Sequence, residues 1–468
     1  MKNGFVKKYI GDRKFYKMVM TVALPIIVQN GISGMVNMLD NIMVGRLGTE
    51  QMSGVAIVNR LFWVFMICLY GIVSGAGIYG VQYYGSKDYT GLKYIFRYKL
   101  AACGIMAAAG ILVMLFKGEY LISLFLHEGS SSGDIALALE YARGYLNIIL
   151  LGILPFAALQ AYAGTLRDTG ETLVPMIAGV VAVITNLILN YILIFGKLGA
   201  PALGVSGAAI ATVVSRYVEC IIVVLWTHMH KEKNRYIIGV YRSFRIPLKL
   251  FKEVTLKSIP LFANETLWAG GQALITQCYS LRGIAVVAAI NISTTISDLF
   301  NVVFIALGLS VAIIVGQHLG AGDMERAKDT DRKLLFLSVT SSVVMGTLLA
   351  IMAPVFPGMF NTTDEVKHLA LIFLLLSALY MPLAAYSHAS YFTIRAGGKT
   401  FITFLFDSVF VWTVNIPVVF ILSKFTSVNI VIIFFTCQML EIFKCIIGTI
   451  LIKKGIWLNN LINTQKSE

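Results

Sequence analysis

The chain has 468 residues, 57% of them hydrophobic and 13% charged, with a formal net charge of +14. A soluble domain carries about a quarter charged residues, so a soluble enzyme or binding module is excluded. Net charge of this sign can attract nucleic acid, but here the cations lie in short segments between long apolar runs, which excludes a nucleic-acid surface.

A membrane-spanning helix needs about 20 apolar residues. Twelve such runs follow one another: Met18–Val44, Gly54–Tyr84, Tyr94–Phe116, Ala138–Leu166, Thr172–Phe195, Gly204–His228, Val254–Leu281, Ala285–Gln317, Lys333–Ala353, Glu365–Ile394, Phe401–Leu422 and Ser427–Ile452. The expected fold is an all-α polytopic membrane protein. The first run is too long for a signal-peptide core and reads as an uncleaved span. Six cysteines (68, 103, 220, 278, 437 and 445) sit inside apolar runs without CxxC spacing, so they read as packing residues.

Lysine and arginine alternate between successive loops. Lys2, Lys7, Lys8, Arg13, Lys14 and Lys17 precede the first span, and Lys87, Lys93, Arg97 and Lys99 lie around the second-to-third connection. Lys231, Lys233, Arg235, Arg242, Arg245, Lys249 and Lys252 crowd the central one, whereas the opposite loops hold mostly single cations such as Arg46, Lys117 and Arg282. The positive-inside rule places both termini in the cytoplasm.

The two halves match at a fixed offset of 235 residues: Pro25 with Pro260, Gly48 with Gly283, Phe65 with Phe300, Gln82 with Gln317, and Gly85, Asp88, Lys93 and Arg97 with Gly320, Asp323, Lys328 and Arg332. A second block repeats at an offset of 228, pairing Arg167, Gly170 and Thr172 with Arg395, Gly398 and Thr400. Equivalent spans are six apart, so the repeat is parallel, about an axis along the membrane normal. The expected organisation is an N-lobe over 1–228, a basic cytoplasmic linker over 229–253 and a C-lobe over 254–468. Two six-helix lobes imply a cleft between them that opens to each side in turn.

Intramembrane polar groups are expensive and point to function. Gln29, Asn30, Ser33, Asn37 and Asp40 recur at three- and four-residue steps, which places them on one face of the first span. Asn186 and Asn190 form an i, i+4 pair suited to lining the same cavity. In the second half Asn264 and Glu265 interrupt an apolar run, and Trp268 and Gln272 continue that face. Asp298 has a depth similar to Glu265, so the two could share a proton or a cation. His388 is a further proton carrier or lining residue. Arg216 with Glu219 and Glu441 with Lys444 read as structural i, i+3 pairs, and Asp407 as a partner of Arg395 or Lys399. Gly75, Gly77 and Gly80 spell GxGxxG inside a span, where packing glycines are the better reading than a nucleotide loop. Without a Walker motif, uphill transport would need an ion gradient or a partner.

The segments "ALPIIVQN", "LDNIMVGRLG", "VQYYGSKD", "GTLRDTGET", "NLILNYILIFGKLGAPALGVSGAAIAT" and "VGQHLGAGD" resemble, in order, the multidrug and toxic compound extrusion (MATE) family. The resemblance implies twelve helices in two lobes, a plasma (inner) membrane location, and exchange of Na+ or H+ for cationic or amphiphilic small molecules. It implies no cofactor and no enzymatic activity, with the lipid bilayer as surroundings and a monomer as the expected state. Asp40 falls on the family's first-helix acid, a cation site that Na+ could occupy with no other metal expected, and Asn186 on an asparagine associated with it. Asn190 stands where some members have aspartate. Trp268 occupies the place of a seventh-helix glutamate, with Glu265 one turn earlier, and Ala384 that of a tenth-helix aspartate. A flippase for lipid-linked glycan or peptidoglycan precursors is the nearest alternative; it would need cations for a pyrophosphate headgroup, of which Arg216 is the chief candidate. A membrane-embedded enzyme using His388 with Asp298 or Glu265 is the other.

Overall fold

The computed structural model describes residues 8–125, 135–360 and 362–463. Twelve helices carry the described chain: α1 (Arg13–Gly45), α2 (Thr49–Gly85), α3 (Tyr89–Ser123), α4 (Ile135–Asp168), α5 (Leu173–Phe195), α6 (Gly204–Met229), α7 (Leu248–Ser280), α8 (Ile284–Gly320), α9 (Met324–Met352), α10 (Asp364–Ala396), α11 (Thr400–Phe425) and α12 (Ile430–Lys453). Eleven are long and apolar enough to cross a membrane. The exception, α7, has the length, at 33 residues or about 50 Å. It falls short in composition because its first turns are charged and Asn264, Glu265 and Gln272 interrupt the apolar stretch that follows.

Local chemistry sets several helix starts. Asp323 accepts from the Arg326 amide at 3.0 Å and Asn429 from the Val431 amide at 2.9 Å, satisfying donors that a helix N-terminus leaves free. Within α11 the turns Leu405–Val409 and Val411–Asn415 are π-helical. Pro417 follows them; it has no N–H to return to Thr413, and wider turns ahead of it absorb the mismatch.

The fold divides into two compact units. One comprises Met1–Ile27, Val81–Asp88 and Thr255–Glu468, the other Val28–Gly80 and Tyr89–Val254. The first half of α1 and the last turn of α2 thus group with the residues from 255 onward. The reason is apolar packing: Phe15, Val19, Val22, Ala23 and Ile26 share a core with Leu307, Val311, Ile314 and Trp457. In the other unit α5 and α6 pack along each other, and α3, α4 and α6 surround a core that includes Leu69, Leu146, Ile153 and Phe156.

The basic segment after α6 is no free tether. Tyr236, Ile237 and Val240 are buried, and Tyr236 packs on Phe96 with ring centroids 5.5 Å apart. Arg97 donates to the carbonyls of Val240 (2.9 Å), Gly239 (3.2 Å) and Arg245 (3.2 Å). Burial, reinforced by the Asp168 charge, holds the Tyr236 phenol protonated well above its usual range.

The repeat is visible in the backbone. Gly48 and Gly283 both have φ in the left-handed region (143° and 117°), as do Gly170 and Gly398 (84° and 72°). Lys87 has φ 60° where its repeat mate is Gly322 at φ 78°. A side chain there costs about 1–2 kcal/mol, partly offset by the lower entropy of the unfolded chain. Lys87→Gly is therefore expected to stabilise the protein by up to about 1 kcal/mol, read as a raised melting temperature in detergent; a lowered one would contradict it.

Within the first unit the ends of α2 and α8 cross with no room for a side chain. A Cβ on Gly85 would fall on the backbone of Gln317, and one on Gly320 on the backbone of Gln82. The reciprocity is that of a two-fold relation between repeat-equivalent pairs. Gln82, fully buried, donates to the carbonyls of Ala396 (3.0 Å) and Asn459 (3.2 Å) and accepts from the Leu461 amide (2.9 Å). Gly320→Ala should force the helices apart and cost about 1–3 kcal/mol, as overpacking does. Thermal unfolding checks this, and an unchanged transition would show that the crossing can open freely.

Candidate functional site

In the second unit α1, α5 and α6 bring polar groups together. Asp40 accepts a short hydrogen bond from Nδ2 of Asn190. The same amide donates to Oδ1 of Asn186 at 3.1 Å, and Nδ2 of Asn186 donates to Oγ1 of Thr212 at 3.4 Å. Asn190 is 1% exposed, and its Oδ1 is buried without a partner among the described residues. Three of the five expected coupling residues, Asp40, Asn186 and Asn190, thus meet, and Thr212 joins them. Thr212 was legible in the sequence as a hydroxyl in an apolar span, without a sign of its partner. Tyr145, also buried, donates to Asn59 at 3.3 Å nearby.

The polar stripe of α1 divides. Gln29 donates to the carbonyl of Pro175 and accepts from Arg167, both at 3.4 Å. Ser33 is half-buried, Asn30 is exposed, and the Asn37 side chain lies outside the described ones. Arg46, in the loop after α1, is exposed, and Asp40 has Asn190 as its partner. Arg216 pairs with Glu219 at 3.4 Å as expected, with its guanidinium 5.1 Å from the Phe156 ring centre. Lys99 and Asp168 form a buried ion pair at 2.5 Å. The glycine motif of α2 belongs to this packing: a Cβ on Gly77 would lie 3.0 Å from Oδ1 of Asp168.

The other unit holds a second polar centre, of which the sequence reading had only the Glu441–Lys444 pair. Lys444 of α12 lies 2.9 Å from Oδ1 of Asp407 and 3.1 Å from Oε1 of Glu441. Asn264 donates to Asp407 Oδ2 (3.1 Å) and to the Tyr391 hydroxyl (3.3 Å), and the Ser408 hydroxyl donates to Asn264 Oδ1 (2.8 Å). This corrects the expectation that Asp407 pairs with Arg395 or Lys399. Asp407 lies in the first π turn and reaches across to α12, while Arg395 lies over the rings of Phe392 and Tyr391, 5.1 and 5.9 Å from their centres.

The remaining candidates stay apart. Glu265 is half-buried and Asp298 exposed beside Asn301 at 3.5 Å; no hydrogen bond or ion pair joins the two acids among the described residues. Trp268 and Gln272 are exposed. His388 lies edge-on to Phe304 and Phe392 with its Nε2 unpartnered among the described residues. Ile275, the repeat mate of Asp40, is buried in an apolar core, so the halves differ chemically at that position. Among the described residues no three His, Cys, Asp or Glu side chains group as a metal site.

Comparison with known proteins points to one family. The MatE family model matches twice, over residues 25–192 and 260–421, which are the two halves of the repeat. The chain is 22% identical over 435 residues to a probable multidrug resistance protein NorM of Thermotoga maritima, covering 92% of this chain and 91% of that protein. It is 26% identical over 390 residues to the multidrug resistance protein MdtK of Yersinia pseudotuberculosis, covering 80% of each. Among solved structures, a multidrug resistance MATE family transporter in an outward-facing conformation superposes with a TM-score of 0.83 at 18% identity, covering 96% of this chain and 97% of that one. A MOP superfamily transporter from Pyrococcus furiosus gives 0.84 at 18% identity, covering 97% and 98%.

Proposed function

The chain belongs to the MatE family of membrane transporters, and on that premise we propose that it exports cationic, drug-like amphiphiles in exchange for Na+ or H+. The observation that carries the reading is the joining of Asp40 to Asn190, Asn186 and Thr212 inside one lobe. A carboxylate beside an unpartnered buried amide oxygen is an oxygen-only donor set for a small cation or proton, and intramembrane acids are functional by default. Cation binding at Asp40 favours one arrangement of the lobes, and a gradient does work through that difference in affinity. Glu265 and Asp298 are assigned a secondary coupling role. Gln29, Asn30, Ser33, Asn37, Trp268, Gln272 and His388 are assigned to the cargo cavity.

The flippase alternative is disfavoured because Lys99, Arg216 and Lys444 each already have a carboxylate partner. The enzyme alternative lacks a joined pair, since His388 meets neither Asp298 nor Glu265 in any described hydrogen bond. The protein is proposed to act as a monomer in the plasma membrane with both termini cytoplasmic; a C-terminal reporter that is fluorescent only in the cytoplasm should light up, and a dark one would reverse the orientation.

The decisive experiment loads inverted membrane vesicles with ethidium under an imposed sodium gradient or pH gradient. Transport above the empty-vector rate under one of them is expected. No transport under either would sink the coupled-export reading.

A further inference from the structure

A second feature of the same lobe concerns how the cation leaves. Arg216 lies one helical turn after Thr212 on α6, on the same face. Thr212 is joined through Asn186 and Asn190 to the Asp40 carboxylate, and side chains on a helix lean toward its N-terminus, here from Arg216 toward Thr212. The ion pair it makes with Glu219, at 3.4 Å, is longer than the roughly 2.7–2.9 Å of a tight charge-assisted hydrogen bond. Glu219 is 8% exposed and lies beside Gln29: a Cβ on Gly179 would be 2.9 Å from Gln29 Nε2 and 3.5 Å from Glu219 Oε1. Gln29 in turn accepts from Arg167. Signs therefore alternate through the lobe interior, from Arg167 past Gln29 to Glu219, Arg216 and Asp40.

This column is neutral when Asp40 is ionised and its site is empty. A bound cation adds one positive charge beside Arg216, and two cations at one carboxylate repel. An ionised Asp40 with neither partner is costly in an apolar interior. We propose that Arg216 is a tethered counter-ion for Asp40, pairing with Glu219 while the coupling cation occupies Asp40 and turning to Asp40 when the cation leaves. Arg216 then stabilises the emptied site and keeps cation affinity low enough for release. The role deepens the proposed function and rests on Asp40 as the coupling acid. The guanidinium suits it because it stays charged at every accessible pH.

The test uses the full chain in proteoliposomes, with ethidium transport followed against sodium concentration at fixed pH and against pH at fixed sodium. Arg216→Gln should lower the half-saturating concentration of the driving cation at least tenfold and also slow the maximal rate, because release is impeded. Glu219→Gln should raise the half-saturating concentration at least tenfold, because Arg216 then stays at Asp40. Arg216→Lys keeps the charge and should remain within about threefold of wild type, which preserves the test where the glutamine variant does not fold. A structural salt bridge would move Arg216→Gln and Glu219→Gln in the same direction. Equal directions, half-saturation unchanged from wild type, or a lysine variant shifted like the glutamine one would overturn the counter-ion role. Cation dependence that survives Asp40→Asn would instead overturn the reading of Asp40 itself.

Discussion

Asp40→Asn abolishes gradient-driven export while the protein still folds and reaches the membrane. The asparagine keeps an oxygen for the Asn190 amide, so the hydrogen bond that positions α1 against α5 survives. Its new NH2 group also offers a donor to the Asn190 Oδ1 that has no described partner. Removing a carboxylate from an apolar interior relieves a desolvation cost, so the variant should unfold no earlier than wild type. What it loses is charge: a cation then meets neutral oxygens alone, and its preference for one lobe arrangement disappears. Coupling energies of about 1–3 kcal/mol correspond to roughly 5- to 150-fold effects, and a fall of about 100-fold in gradient-driven ethidium transport is expected. Measured together, vesicle transport and detergent melting separate the chemical loss from misfolding. Full transport by Asp40→Asn would remove Asp40 from the mechanism.

The helices and the repeat were legible because the membrane imposes them. Apolar length marks a span, and the positive-φ glycines at 48 and 283 and at 170 and 398 fall where the offsets put them. The α1–α5 site was legible in part, since Asp40, Asn186 and Asn190 are costly groups at helical spacing and can be recognised by that cost. Other features depend on contacts that spacing does not encode. Asp407 was assigned to nearby cations by counting along a regular helix, but it sits in a π turn and reaches Lys444 from another span. Glu441 and Lys444 announced themselves as an i, i+3 pair and concealed their third member. Arg97 looked like one more loop cation, yet it fastens the segment after α6 through three carbonyls. Charge patterning assigned the loop an expected side of the membrane and was silent on its packing.

Lys444→Met is expected to be the most destabilising single change outside the coupling site. The side chains of Lys444, Asp407 and Glu441 are 8%, 17% and 11% exposed, so solvent screens their interaction little. The triad holds two carboxylates to one ammonium, and Asn264 supplies the remaining donor to Asp407. Methionine fills a similar volume but leaves two buried acids facing each other without a cation. Removing one partner of a buried pair costs about 3–5 kcal/mol, enough to deplete folded protein on size exclusion in mild detergent. Asp407→Asn should cost less, because Lys444 retains Glu441 and Asn264 retains a hydrogen-bonding partner at 407. Replacing all three charges, with Asp407→Asn, Glu441→Gln and Lys444→Met together, should recover most of the loss, since a neutral cluster of the same shape has no charge to desolvate. That non-additivity separates a buried charge network from three independent packing sites. If Lys444→Met melts with wild type, the carboxylates take up protons at little cost. The C-lobe acids would then be exchangeable groups, and the lobe a candidate for proton coupling in its own right.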